Sequence, residues 1–307
     1  MGRMIIKQVT AAVLQAVYSN LRADFNNAFK ETEVQYLKVA TVVPSSSSEN
    51  DYGWVSEFPS MTEWVGKKTI QELEEHGYAV KNKAFQVTIA VKKHRIDDNQ
   101  LGAYKIQAQG AGKSAKKLPN QQVFKLLNNA FVTKCFDGQP MISSNHKIGK
   151  KNVSNKGVKP LSIVSLEAAQ ESFGAARIAM RSLLNENGDP LDLNPTLLVV
   201  PPALGDIARA LVTATQFKDG NPNPYKGAAE VLEVGALTDP DAWFLMDVDQ
   251  AIKPLIWQNR EEAHLVSQTD LSSERVFMDG EFLFGAEARG NAGFTFWQLI
   301  YGSTGKG

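Results

Sequence analysis

The sequence predicts a chain of mixed α and β structure, and three stretches carry that prediction. Phe85, Val87, Ile89 and Val91 alternate with Gln86, Thr88 and Ala90, the period of two that marks a half-buried strand. From Thr10 onward, Leu14, Tyr18, Leu21, Phe25 and Ala28 recur at spacings of four and three, the seam of an amphipathic helix. Near the C-terminus, Gly293 to Tyr301 alternates Phe294, Phe296 and Gln298 with Thr295, Trp297 and Leu299. Both faces are largely apolar, so a buried strand is expected there.

Taken in order, the helix from Thr10 is followed by Tyr36 to Val43, rich in β-branched residues and read as a strand that ends at Pro44 and the serine run Ser45 to Ser48. Tyr52, Trp54, Phe58 and Trp64 then sit among Gly53, Pro59 and Gly66, on an irregular path. Ile70 and Leu73 suggest a short helical run, with Gly77 at the left-handed position that ends it. Tyr78 to Lys81 is expected to pair with the strand Phe85 to Val91 across a turn at Asn82, forming a two-stranded ribbon. A lone ribbon is marginal in water, so it must lie on its own body or on a neighbouring subunit.

Asp97, Asp98 and Asn99 provide capping and first-turn acids for a helix to about Lys117, with Leu101, Tyr104, Ala108, Ala111 and Ala115 as its buried stripe. Gly102, Gly110 and Gly112 each cost about 1 kcal/mol there relative to alanine, and close approach of another backbone is the usual compensation. Pro119 is expected to break this helix and start another, with Val123, Leu127, Ala130, Phe131 and Lys134 along one side. Between Gly138 and Leu161 there are five lysines and no acid. A solvated surface loop is the simplest reading; the alternative is that some of these lysines face DNA or an acidic patch on a neighbour.

From Ser165 an amphipathic helix carries Leu166, Ala169, Phe173, Ala176, Met180 and Leu184 toward a cap at Asn187-Gly188. Thr196 to Val200 reads as a strand stopped by Pro201-Pro202, and Leu204 to Thr213 as a helix. No glycine-rich turn joins the two, so no phosphate cradle forms. After a loop at 217–228, Leu232 onward is β-like again, at Trp243 to Met246, Ile252 to Trp257, Val276 to Met278 and Phe282 to Phe284. No repeat is apparent at solenoid or propeller periods.

With 307 residues and 43% hydrophobic content, the chain can bury the core of one large or two modest domains. Basic and acidic residues balance at 33 each, so net charge makes no case for nucleic acid. Residues 229–290 nevertheless hold four basic and 13 acidic side chains. Such asymmetry suits contact between copies, and equally a solvated acidic face. One cysteine, Cys135, excludes an intramolecular disulfide and fits a reducing compartment. No signal peptide or membrane span is expected, and the Met1-Gly2 start fails the myristoylation motif at Ile6.

Fragments that invite enzymatic readings fail on spacing. Gly112-Lys113-Ser114 copies the end of a phosphate-binding loop, but Gln107 stands where that motif needs glycine, and helix precedes it instead of strand. Cys135 with His146 or His264 would make a thiolate-imidazole pair, although a single cysteine is more often a small core residue. The histidines His76, His94, His146 and His264 lack paired ligand spacing, so no metal site is expected. Asp239, Asp241, Asp247 and Asp249 are read as turn caps, not as an acid-base pair.

Longer phrases carry a resemblance: YGWVSEFPSMTEWVG, the RIDDNQLG that ends the ribbon, CFDGQPMISSNH, TLLVVPPAL, LTDPDAWFLMD, IKPLIWQNRE and EARGNAGFTFWQLIYGS. Together they resemble, in order and over nearly the whole chain, the major head subunits of phage Mu and Mu-like prophages, the gpT family. The resemblance implies an α+β chain with the tailed-phage major-capsid fold of the Hong Kong 97 type, a structural protein and not an enzyme. Its implied parts are an N-terminal arm at 1–50, an extended loop at 51–95 that reaches over an adjacent subunit, a peripheral domain with a spine helix at 96–134 and 241–285, and an axial domain at 135–240 and 286–307. The expected contacts between subunits are Phe85, Val87, Ile89 and Val91 of the ribbon and Leu14, Tyr18, Leu21 and Phe25 of the arm.

The resemblance further implies hexamers and pentamers of an icosahedral shell around double-stranded DNA held non-specifically, assembled in the host cytoplasm and located in the virion. Scaffold, portal, maturation-protease and decoration proteins are the expected partners, with no cofactor, membrane or small-molecule substrate. Some relatives in the wider fold cross-link through lysine and asparagine, chemistry that Lys81, Asn82 and Lys83 resemble, but the gpT likeness does not imply it. The alternatives are the shell subunit of a cellular nanocompartment and, in another class, a cytosolic α/β enzyme.

Overall fold

The computed structural model describes residues 9–52, 78–98 and 101–307. The expectations for Trp54, Phe58, Trp64, the Ile70–Leu73 run, Gly77 and Asn99 lie outside these residues. The chain begins with α1 (Ala11–Glu31), α2 (Tyr36–Val39), β1 (Ala40–Pro44), β2 (Glu49–Asp51), β3 (Ala79–Lys81), β4 (Lys83–Lys92), α3 (Lys93–Asp97) and α4 (Gly102–Asn128). The short strands β5 (His146–Ile148), β6 (Lys151–Val153) and β7 (Lys156–Gly157) come next, then α5 (Leu166–Ala169) and α6 (Ala175–Arg181), joined by a π-helical turn. The remainder is β8 (Leu197–Val200), α7 (Gly205–Thr213), β9 (Glu230–Glu233), β10 (Trp243–Met246), β11 (Leu255–Gln268), α8 (Glu274–Asp279), β12 (Glu281–Phe294) and β13 (Ile300–Ser303).

Two sheets organise these elements: four strands in the order β1-β11-β12-β4, and five in the order β7-β13-β10-β8-β9. The ribbon takes a different form from the one expected. β4 pairs antiparallel with β12, placing Ile89 opposite Phe284 and Val91 opposite Phe282, while β3 pairs with β2. The alternation of β4 is therefore that of an outer strand in a larger sheet, whose apolar face α1 and α4 cover. Leu14, Leu21 and Phe25 of α1, Ala108 and Ala111 of α4, and Ile89, Val91, Phe282 and Phe284 of the sheet share one buried cluster.

α1 starts where expected: Thr10 caps it by accepting a hydrogen bond from the Val13 amide. α4 departs from expectation at both ends. Its N-cap is Leu101, which makes no side-chain capping bond, and it continues through Pro119 to Asn128. Proline there removes the amide that would bond the Ala115 carbonyl and crowds that carbonyl, a cost of about 3 kcal/mol in a helix interior. Both flanks are anchored independently, which explains the continuity. Ala108 and Ala111 sit in the α1 cluster, and Val123, Phe124 and Leu127 sit in a second core with Leu197, Phe244, Trp257 and Trp297. Pro119 falls at the passage from one core to the other.

Further local differences have visible causes. Tyr36 to Val39 is a turn of helix ahead of β1, and Val276 to Met278 lies in α8, capped by Ser273 and ended by Gly280 in the left-handed region. The closing stretch is buried as expected but not one strand: β12 ends at Phe294, a 3-10 turn spans Trp297–Leu299, and β13 follows. The implied domain boundaries cut across the sheets. β10 belongs to the five-stranded sheet although it falls within 241–285, β12 continues past 285 in the four-stranded sheet, and β1, within 1–50, is a sheet strand.

One turn is used three times. Lys134–Pro140, Leu184–Pro190 and Gln216–Pro222 are each closed by an isolated bridge, and each reads Asp or Asn, Gly, any residue, Pro in its second half. Gly138, Gly188 and Gly220 have φ of 76, 89 and 82°, a region open to glycine without strain. Asn187-Gly188 is thus part of a hairpin turn, and the preceding helix has already ended at Arg181.

Candidate assembly surface

The eight residues expected to contact a neighbouring subunit are largely claimed by their own chain. Leu14, Leu21, Phe25, Ile89 and Val91 are buried against one another's elements, and Val87 packs on the same cluster. Tyr18 is half-buried, stacks on Phe284 and donates from its hydroxyl to the Leu265 carbonyl at 2.9 Å. Phe85 packs on the second core. In one copy, then, little of that apolar face is left open. A strand with period-two apolarity needs a cover, and α1 with α4 supplies it within the chain.

A single copy exposes a different set. Phe277 is 86% exposed and Met278 71%, adjacent on the short helix that joins the two 14-residue strands β11 and β12. In this short helix the half-buried neighbour Val276 provides the anchor to the core. Arg275 lies 3.9 Å from Asp279 and 3.4 Å from Glu281, pairs whose exposure makes them worth little to stability. Ile106, Val132, Val164 and Ile178 are also exposed, each on a separate element or loop.

The stem formed by β2 and β3 is built on Gln258. Its Nε2 donates to the Val80 carbonyl at 3.0 Å and to Asn82 Oδ1 at 2.8 Å, and its Oε1 accepts from the Tyr52 hydroxyl at 2.7 Å. The Tyr52 amide donates to the Tyr78 carbonyl at 2.8 Å. One buried amide thus ties Tyr52 to Val80 and Asn82, and the Tyr52 amide adds Tyr78.

Other residues singled out in the sequence fall as follows. Gly112-Lys113-Ser114 lies inside α4, where the amides a phosphate loop would offer are spent on the helix. Asp247 is fully buried and accepts from the Asn194 and Asp249 amides and from Gln250, and Asp239 accepts from the Asp241 amide. The hydrogen bond from Lys306 holds the Asp239 carboxyl below its ordinary range. These are turn caps. His264 stays exposed on β11, remote in pairing from Cys135, whereas Cys135 and His146 do meet, through Asp137. Asp137 escaped the sequence reading because it lies in the first of the three repeated turns. The five lysines from Lys147 to Lys159 are exposed, on and around β5, β6 and β7.

A model of the Mu-like prophage major head subunit gpT matches residues 14–165, 161–237 and 233–306. The chain belongs to the Mu-like prophage major head subunit gpT family. It is 32% identical over 293 residues to the major capsid protein of Escherichia phage Mu, covering 95% of this chain and 73% of that protein. To the Mu-like prophage FluMu major head subunit of Haemophilus influenzae it is 25% identical over 298 residues, covering 97% and 75%. Among solved structures, the procapsid of bacteriophage JBD30 matches at TM-score 0.61 and 27% identity, over 96% of this chain and 76% of that one. The JBD30 capsid matches at TM-score 0.60 and 26% identity, over 75% and 99%. A virus-like particle from Pyrococcus furiosus, at TM-score 0.53 and 11% identity over 93% and 98%, shares the fold alone. The chain thus has the tailed-phage capsid fold of the Hong Kong 97 type and is a shell-forming head subunit. Among the described residues, no helix is long and apolar enough to cross a membrane.

Proposed function

We propose that copies of this chain close into an icosahedral head of hexamers and pentamers around double-stranded DNA, joined by surfaces that one copy leaves open. The observation that carries this reading is the Phe277-Met278 pair between β11 and β12, two large apolar side chains that stay mostly exposed among the described residues. Heterologous contacts of this kind build closed shells when the curvature suits. The four-stranded sheet with α1 and α4 is read as the peripheral part, α4 as the spine helix, and the five-stranded sheet as the axial part. The segment 51–95 is read as the extended loop that overlaps a neighbour. Scaffold, portal and decoration proteins are the expected partners; one JBD30 capsid structure is decorated with minor capsid protein trimers. The protein's role is structural, without catalysis.

The experiment is electron microscopy of the purified chain and of Phe277→Ser/Met278→Ser, with melting of the unassembled subunit measured alongside. Shells from the parent, with loss of particles and an unchanged melting midpoint in the variant, are expected. Undiminished particle yield in the variant would remove Phe277 and Met278 from the interface.

A further inference from the structure

Cys135, Asp137 and His146 bring a thiol, a carboxylate and an imidazole to one buried place, with their donor atoms all within 4.8 Å of one another. We propose that this cluster binds a divalent cation of the zinc class, with Cys135 Sγ, a carboxylate oxygen of Asp137 and His146 Nδ1 as ligands. The donor set is of the kind that class prefers. Bonds of about 2.0 to 2.3 Å to a tetrahedral centre set donor atoms about 3.3 to 3.8 Å apart, between the 2.6 Å of the Nδ1–Oδ2 pair and the 4.8 Å that bounds the cluster.

The surroundings of the imidazole support the assignment independently. His146 Nε2 faces the Met141 carbonyl oxygen at 3.3 Å, and that oxygen also accepts from Asn155 Nδ2 at 2.8 Å. With the Nε2 proton directed at a carbonyl, Nδ1 is the nitrogen left to present a lone pair, the outer arrangement that ligating histidines commonly have. The ring is fully buried and stacked on Trp297, with centroids 4.2 Å apart and planes 4° from parallel, so its orientation is fixed. Asp137 is fixed as well, by the Gln139 amide donating to its Oδ1 at 2.9 Å.

Without a cation, protons must hold the same atoms together. Nδ1 lies 2.6 Å from Asp137 Oδ2, and the Cys135 thiol donates to Asp137 Oδ1 at 3.1 Å. The thiol proton that Asp137 Oδ1 now accepts is the one a cation at sulfur displaces. Binding is an exchange without electron transfer. The cation sheds bound water and gains bonds to sulfur, oxygen and nitrogen, while the thiol proton and the proton between Nδ1 and Asp137 leave to solvent. The Asp137 side chain, 15% exposed, is the way in, and water takes the fourth position. The cation would staple the turn after α4 to β5 and, through Trp297, to the segment that leads into β13.

The test uses the purified full chain, stripped with a chelator and titrated with Co²⁺. Because Cys135 is the chain's one cysteine, any sulfur-to-cobalt charge-transfer band reports this site alone. A band saturating at one Co²⁺ per chain is expected, with two protons released per ion, competition by Zn²⁺, and loss of the band in Cys135→Ala. The absence of a charge-transfer band in the parent chain would overturn the proposal and leave a cluster held by protons. So would Co²⁺ binding that persists unchanged in a folded Cys135→Ala chain.

Discussion

Gly112 lies directly against the backbone carbonyl of Phe25, where α4 crosses α1, and a methyl group at Gly112 would overlap that oxygen. Backbone on both sides cannot yield as a side-chain tip would, so Gly112→Ala is expected to destabilise the isolated subunit by about 1 to 3 kcal/mol. Gly110, two residues earlier in the same helix, has open space around its Cα. Gly110→Ala is expected to stabilise by up to about 1 kcal/mol. Urea unfolding of the two variants tests the crossing directly, because stabilisation by both would mean that helix propensity and not contact governs them.

Burial separates fold from assembly. Ile89→Ala removes a side chain packed beneath α1 and should cost about 2 to 5 kcal/mol of subunit stability. Phe277→Ser changes a side chain in open solvent and should stay within about 0.5 kcal/mol of the parent. Calorimetry of unassembled chains distinguishes them. An Ile89 variant as stable as the parent would return β4 to the list of surfaces awaiting a neighbour.

Tyr78 gives the fold an alkaline limit. Burial is the main cause that raises its pKa to about 12, while its oxygen accepts from the Phe294 amide at 2.9 Å. The unfolded chain ionises this phenol near 10, so between pH 10 and 12 the unfolded state binds fewer protons and stability falls as pH rises. The full effect is on the order of 3 kcal/mol, present below pH 10 and lost by pH 12. Tyr78→Phe should be less stable at neutral pH yet show a flatter decline over this window, as read from urea midpoints against pH. A parallel decline in both chains would place the titrating group elsewhere.

The Cys135 thiol should react slowly. Buried and kept protonated, it is expected to alkylate with iodoacetamide about a hundredfold or more slower in the folded, chelator-treated chain than in urea. Mass spectrometry of timed samples gives both rates, and equal rates would mean that the pocket around Asp137 is open.

Local pattern identified most elements and few of their partners. The seam of α1, the alternation of β4 and the apolar runs of β8 and β10 were legible because each is a short-range periodicity. Pairing was not: nothing near β4 says that β12 lies beside it, and the nearby Ala79–Lys81 was the natural but wrong partner. Pro119 misled because the two cores that hold α4 on either side of it are built from distant residues. The contact residues were chosen for apolarity, the property that also sends a side chain into its own core. Phe277 and Met278, read as part of a strand, could have been noticed as adjacent large apolar residues between a Ser273 cap and a Gly280 stop.

Asp137-Gly138, Asn187-Gly188 and Asp219-Gly220 are dipeptides at which chains age, because the glycine nitrogen attacks the preceding side-chain carbonyl and closes a succinimide ring. In all three turns that nitrogen is engaged: Gly138 donates to Cys135 O at 3.1 Å, Gly188 to Asn185 O at 3.1 Å and Gly220 to Phe217 O at 3.0 Å. Positive φ at each glycine fixes the peptide plane as well. Isoaspartate formation is thereby held back in a folded copy and released in one that has lost these turns. The amount of isoaspartate at the three sites becomes a chemical record of how long a copy spent unfolded.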